Sequence, residues 1–204
     1  PGEVSDTNLP ANFSPESVLG SFEVSIAYVG QIDIDTLSDG ADANPGDGNS
    51  EDGSGNRTLR SAIQEANAAA GSNTLVLAEG ATYTLSIAGS GEDSAATGDL
   101  DIKSDISIIG SGADTTIINA AGIDRVLHVH SGTNSSITGV TIRGGLANGL
   151  DQDGRGGGVY IDGSAMTITD SAIVHNSALK YGGGIYLSPC VGSECGSATV
   201  QVES

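Results

Sequence analysis

The sequence has no tryptophan, and its aromatic content is only 3%. That excludes a core built on bulky rings, and the 31 glycines point instead to many tight turns between short strands. Basic residues are scarce as well: seven Lys and Arg face 26 Asp and Glu, for a formal net charge of -19. A phosphate backbone or an anionic membrane surface would be repelled, so nucleic acid is not an expected partner. The chain has no apolar run of the roughly 18 residues that a membrane helix needs. It starts at Pro1 with neither a basic leader nor an apolar h-region, so the expectation is a soluble segment without membrane insertion, its export signal removed or left out. The only cysteines, Cys190 and Cys195, sit in one short polar loop with no histidine beside them. A local disulfide in an oxidising compartment fits that placement better than zinc does.

What the chain does have is a repeat. Ile137-Thr138-Gly139-Val140-Thr141-Ile142 aligns with Ile168-Thr169-Asp170-Ser171-Ala172-Ile173 at an offset of 31. Gly156-Gly157-Gly158-Val159-Tyr160-Ile161 aligns with Gly182-Gly183-Gly184-Ile185-Tyr186-Leu187 at an offset of 26, and the loop 148–155 absorbs the difference. Constant strands with a variable loop are the signature of stacked solenoid coils, because neighbouring strands must match and outward loops need not.

In chain order, residues 1–20 carry three of the five prolines and read as an irregular lead-in. Phe22, Val24, Ile26 and Tyr28 then alternate with polar or small residues, as Ile32 and Ile34 do with Asp33 and Asp35, which is the period-two mark of strands. Residues 35–55 are almost wholly Asp, Gly, Asn, Ser and Glu, and such a stretch must be solvated or organised by a metal. A helix is expected over 58–70, with Leu59, Ile63, Ala66 and Ala70 on one face, Thr58 as cap and Gly71 just beyond. Its expected place is over the open N-terminal end of the coils, where apolar lumen and unpaired backbone need a cover. From 78 onward, Tyr83, Leu85 and Ile87, Leu100 and Ile102, Ile106 and Ile108, Ile117, Leu127 and Val129 supply short apolar alternations between turns. The final stretch 197–204 is strand-like, so the expected end is in mid-solenoid, with 1–204 forming one domain.

Arg57-Thr58-Leu59-Arg60-Ser61-Ala62-Ile63 followed by Ala66-Asn67 resembles the N-terminal module of bacterial surface proteins that carry Cys-Ser-Leu-Arg-Glu-Ala-Ile and then Ala-Asn. The likeness runs on through residues 73–77, 98–102, 124–126 and the Gly-Gly-Gly repeats. It implies a right-handed parallel β-helix, all-β apart from the short capping helix, and a secreted or cell-surface location. The family has no single reaction, so no mechanism comes with it. The motif's cysteine is Arg57 here, so the disulfide found in many relatives cannot form, and its glutamate is Ser61, which is expected to remove the reciprocal half of a capping box.

Five features carry possible chemistry. Asp99 and Asp101 flank Leu100, so their carboxylates share a strand face about 7 Å apart, in the range of a glycosidase acid and base. A solvated outer face is the expected reading, and Asp33 and Asp35 have the same spacing. His128 and His130 share a face and could hold a metal, but no third ligand is identifiable, so exposed strand histidines are expected. His175 beside Asn176 is placed at a coil corner, in a turn role. Tyr160 and Tyr186 occupy equivalent positions and should stack about 5 Å apart, either outward as a step for a sugar ring or inward as core. Asp39, Asp42, Asn44, Asp47 and Asp52, with Asn49 and Glu51 among them, offer the oxygens of a Ca2+ loop without the 12-residue hand pattern, or else a plain solvated loop.

These features suggest a non-catalytic extracellular structural or adhesive module with Ca2+ as its candidate cofactor and glycans or other surface components as partners. The alternatives are a polysaccharide-active enzyme or a carbohydrate-binding module. A hydrolase is favoured over a lyase, because the seven basic residues are scattered and form no cationic groove.

Overall fold

The computed structural model describes residues 30–188 and 199–203. The lead-in, the strand expected over 21–28 and the pair Cys190 and Cys195 lie outside the described residues. Among the described residues the first element is β1 (Gln31–Ile32), followed after the acidic loop by α1 (Leu59–Ala68). Then come β2 (Asn73–Val76), β3 (Thr82–Thr84) and β4 (Leu100–Ile102), followed by β5 (Ile106–Ile109), β6 (Ile117–Asn119) and β7 (Leu127–Val129). The next coil contains β8 (Asn134–Thr138), β9 (Thr141–Arg143), β10 (Leu146–Ala147) and β11 (Val159–Asp162). After it come β12 (Ala165–Thr169), β13 (Ala172–Val174), β14 (Ser177–Ala178), β15 (Ile185–Ser188) and β16 (Thr199–Glu203).

These strands sort into three parallel sheets wound around one lumen: β1-β2-β5-β8-β12-β16, β3-β6-β9-β13, and β4-β7-β11-β15, with β10 and β14 pairing at a corner. This is an all-β parallel β-helix with one α-helix among the described residues. The registers Ile137 to Ile168 and Ile142 to Ile173 are the 31-residue repeat, and Tyr160 to Tyr186 is the 26-residue one. The extra residues of the longer coil form a 3-10 turn, Asp151–Gly154.

Registered columns of apolar side chains fill the lumen. Leu75, Ile108, Ile137 and Ile168 stack along one sheet, and Leu100, Leu127 and Val159 along another, all 2% exposed or less. Each such residue contributes about 1.5–3 kcal/mol of burial. In β6 the phase is one residue from the expected one: Ile118 is fully buried and Ile117 points outward, because Tyr83, Ile118 and Ile142 set the register. No helix of the described residues is long and apolar enough to cross a membrane.

The helix lies where a cover is expected. Thr58 caps it by accepting from the Ser61 N–H at 3.0 Å, and the Ser61 hydroxyl accepts from the Thr58 N–H at 2.9 Å. The capping box is therefore complete, against expectation, because a serine hydroxyl reaches what the motif's glutamate would. The helix stops at Ala68, two residues early, and Ala69 is already extended. Leu59, Ile63 and Ala66 are buried, while Asn67 lies along the open edge of β4. Its side-chain amide donates to the Asp101 carbonyl at 2.7 Å and accepts from the Lys103 N–H at 2.8 Å, in place of an absent strand.

Candidate functional site

The outer face of the sheet β4-β7-β11-β15 gathers most of the unusual chemistry. Leu100, Ile102, Leu127 and Val129 point into the lumen, so the pleat turns Asp101, His128 and His130 outward on neighbouring rungs. The connection between β3 and β4 then folds back across that face. Glu92 shapes this strap, accepting from the Ser94 N–H and hydroxyl and from the Thr97 N–H, each at 2.8 Å. The Ala95 N–H closes on Asp101 Oδ2 at 2.7 Å.

Asp99 and Asp101 therefore do not form a solvated face. They are 3% and 0% exposed, and each is engaged by different partners. Asp99 Oδ2 lies 2.7 Å from Arg125 Nε, a buried ionic contact whose N–H is not aimed along the line between the atoms. Burial pushes the Asp99 carboxyl well above its usual range; Arg125 opposes that shift, and Asp101 and Asp124 add to it. Burial would raise Asp101 too, but hydrogen bonds from His128, His130 and the Ala95 N–H outweigh it and hold the carboxyl at about 2.

Nor are His128 and His130 simple exposed strand residues. His128 is 6% exposed, and its ring lies 3.7 Å from that of His130, centroid to centroid. Asp101 Oδ1 lies 3.3 Å from His128 Nδ1 and 2.7 Å from His130 Nε2. From the strap, Asp93 Oδ1 approaches the same two nitrogens at 3.9 and 4.0 Å. These four side chains form the cluster among the described residues able to hold a metal ion, with ligand atoms all within 4.8 Å of one another. Burial lowers the His128 imidazolium below its usual range, against the pull of Asp101.

The aromatic ladder continues the same face. Tyr160 stacks on Tyr186 with centroids 5.7 Å apart and planes 5° from parallel, as equivalent rungs require. Tyr160 points outward yet is only 2% exposed, capped by the Arg125 guanidinium 5.2 Å above its ring and by the edge of His128. A sugar ring could not lie on it. Arg155 stacks over Tyr186 and Tyr181 at 5.2 and 5.8 Å and completes the ladder.

The acidic loop is dispersed into separate tasks. Asp39 pairs with Arg60 at 2.7 Å, and its Oδ2 also accepts from the Ser86 and Ile87 N–H groups. Asp52 accepts from the backbone of Ser54 and Asn56, and Asp47 from that of Asn49. Asp42 accepts from the Asn44 N–H through Oδ1, while its buried Oδ2 has no partner. Burial pushes the Asp42 carboxyl up, and Glu65 and Asp47 add to the rise. Asp33 and Asp35 flank the half-exposed Arg57 at 3.7 Å each. His175 takes a left-handed φ of 55° at a coil corner, where the Asn176 side chain bridges rungs by accepting from the Gly145 N–H and donating to the Ile142 carbonyl.

No family model matches the chain, and neither a curated protein nor a solved structure matches it. Asp93 is the member of the cluster that the sequence conceals. It belongs to no periodic pattern, and only the fold of the strap brings it to the histidines.

Proposed function

We propose that this chain is a non-catalytic structural or adhesive module, secreted or held at a cell surface, which displays the flat faces of a β-solenoid to glycans or other surface components. The observation that carries this reading is the commitment of Asp99 and Asp101. A glycosidase acid and base must both touch the scissile bond, whereas here one carboxylate is buried against Arg125 and the other between two histidines and a backbone N–H. The surface location follows from the resemblance around residues 57–67. A face suited to display is the outward row Thr74, Ser107, Ser136 and Thr167, a registered ladder of hydroxyls in which Ser136 donates to Ser107 at 3.0 Å.

The test is incubation with a panel of neutral and acidic glycans. Binding without release of reducing ends or unsaturated uronates is expected. Release that disappears in Asp99→Asn or Asp101→Asn would establish an enzyme instead. Ca2+ binding by the 39–52 loop is the second part of this reading, supported by the orphaned Asp42 Oδ2 close enough to Glu65 and Asp47 to feel their charge. Calorimetry should find Ca2+ uptake that is lost when Asp42, Asp47 and Asp52 become Asn. No uptake at millimolar Ca2+ ends it.

A further inference from the structure

The cluster on the outer face of β4 and β7 does not depend on the acidic loop, and its donor set is different. It offers two imidazole nitrogens and two carboxylate oxygens from three separate stretches of chain: Asp93 in the strap, Asp101 on β4, His128 on β7 and His130 just beyond it. Ca2+ takes six to eight oxygens, while a mixed nitrogen and oxygen set of four suits a borderline transition ion.

The distances agree with that. A tetrahedral Zn2+ with bonds of about 2.0–2.1 Å separates its ligand atoms by roughly 3.4 Å. Asp101 Oδ1 stands 3.3 Å from His128 Nδ1 and 2.7 Å from His130 Nε2, while Asp93 Oδ1 stands 3.9 and 4.0 Å from the same atoms. These four edges depart from the ideal by no more than about 0.7 Å, and the other two, His128 to His130 and Asp93 to Asp101, stay within 4.8 Å, so small side-chain rotations would close the set. The long edges both belong to Asp93, whose side chain is 65% exposed and free to close.

Two further observations point to a ligand. Asp101 Oδ2 is already held by the Ala95 N–H at 2.7 Å, which turns Oδ1 toward the gap as a second shell orients a metal ligand. His128 is more than nine-tenths buried, and its Nδ1 faces the gap at 3.3 Å from Asp101 Oδ1 and 3.9 Å from Asp93 Oδ1. An ion in the gap would bond that buried nitrogen directly.

We propose that Asp93, Asp101, His128 and His130 form a closed, four-ligand structural site for a divalent transition ion, with Zn2+ as the principal occupant. The ion ties the strap to two successive rungs and fixes the covered face of the solenoid near its N-terminal end. All four positions are taken by protein, so no open position is left for substrate.

The experiment uses the full, tag-free 204-residue chain, stripped with chelator and titrated with Zn2+ alone. One equivalent should bind, with a rise in melting temperature, and Co2+ should give the intense visible bands of tetrahedral coordination. Asp93→Asn, which alters only an exposed side chain, should melt like the metal-free wild type yet bind Zn2+ at least tenfold more weakly. His130→Asn should also bind Zn2+ at least tenfold more weakly and serves as the independent second variant, although its metal-free form should melt lower because Asp101 loses a 2.7 Å partner. Absence of Zn2+ uptake at about 0.1 mM, a hundredfold above a Kd of about 1 μM, overturns the proposal. Uptake with wild-type affinity in both variants overturns it too, since the ion would then be held elsewhere.

Discussion

Arg60→Met deletes a guanidinium while keeping most of the aliphatic stem, and the structure indicates how much that should cost. The Arg60 side chain is completely buried. It donates to both oxygens of Asp39 at 2.7 and 3.2 Å, and to the carbonyls of Ala95, Gly98 and Asp99 at 2.9, 2.8 and 3.2 Å. Removing one partner of a buried pair typically costs about 3–5 kcal/mol, because the other charge stays behind unpaired. Asp39 would remain 2% exposed with only the Ser86 and Ile87 N–H groups for compensation, so about 4 kcal/mol is expected. For a chain of this size that lowers the melting temperature by roughly 8–16 °C. Urea unfolding followed by far-ultraviolet circular dichroism measures it, with Arg57→Met as the control. Arg57 pairs with Asp33 and Asp35 at 3.7 Å each and is 39% exposed, so its loss should cost less than about 1 kcal/mol. Adding Asp39→Asn to Arg60→Met should recover part of the loss. Equal stabilities for the two arginine variants, or no coupling between Arg60 and Asp39, would refute the clamp.

Ile63→Lys puts an unpaired charge at a fully buried position of the cap helix, and a loss of at least about 3 kcal/mol is expected in the same unfolding assay. Gly158→Ala would bring a Cβ to 2.5 Å from the Gly184 carbonyl and 2.8 Å from Ile173, costing about 1–3 kcal/mol, whereas Gly53→Ala, with no described atom within 4 Å, should stay within about 0.5 kcal/mol. Burial raises the Asp124 carboxyl in the folded chain, so its ionised form opposes folding at neutral pH. Asp124→Asn should therefore melt higher than wild type at pH 7, with the gain vanishing as the pH falls below 3.8, the ordinary value of that carboxyl; a difference independent of pH would contradict this.

The solenoid was legible because neighbouring rungs copy one another: Ile137 above Ile168 and Tyr160 above Tyr186 are contacts that sequence similarity reports directly. Alternation also gave the lumen side of most strands, and it slipped only at Ile117 and Ile118, where two isoleucines in a row leave the phase open. The site was not legible, for a related reason. Period two separates inward from outward, but it cannot say whether an outward residue is later covered. Asp99, Asp101, His128 and Tyr160 are outward and buried because the strap and Arg125 close over them. That closure depends on one irregular loop with no repeat to betray it. Ser61 shows the same limit on a smaller scale, since losing the glutamate did not lose the hydrogen bond.

A stack of parallel strands invites a second copy of itself to dock at an unfinished end, since a bare rung offers the backbone pattern that a new strand needs. Here the open edge of β4 and the backbone just after β3 present little of that pattern to a stranger. Asn67 occupies the Asp101 carbonyl and the Lys103 N–H, Arg60 the carbonyls of Gly98 and Asp99, and Asp39 the N–H groups of Ser86 and Ile87. An incoming strand would have to displace side chains fixed by a helix and an ion pair, not water. Beside β3 and β4, then, three residues that belong to no strand hold the backbone groups that an added strand would need.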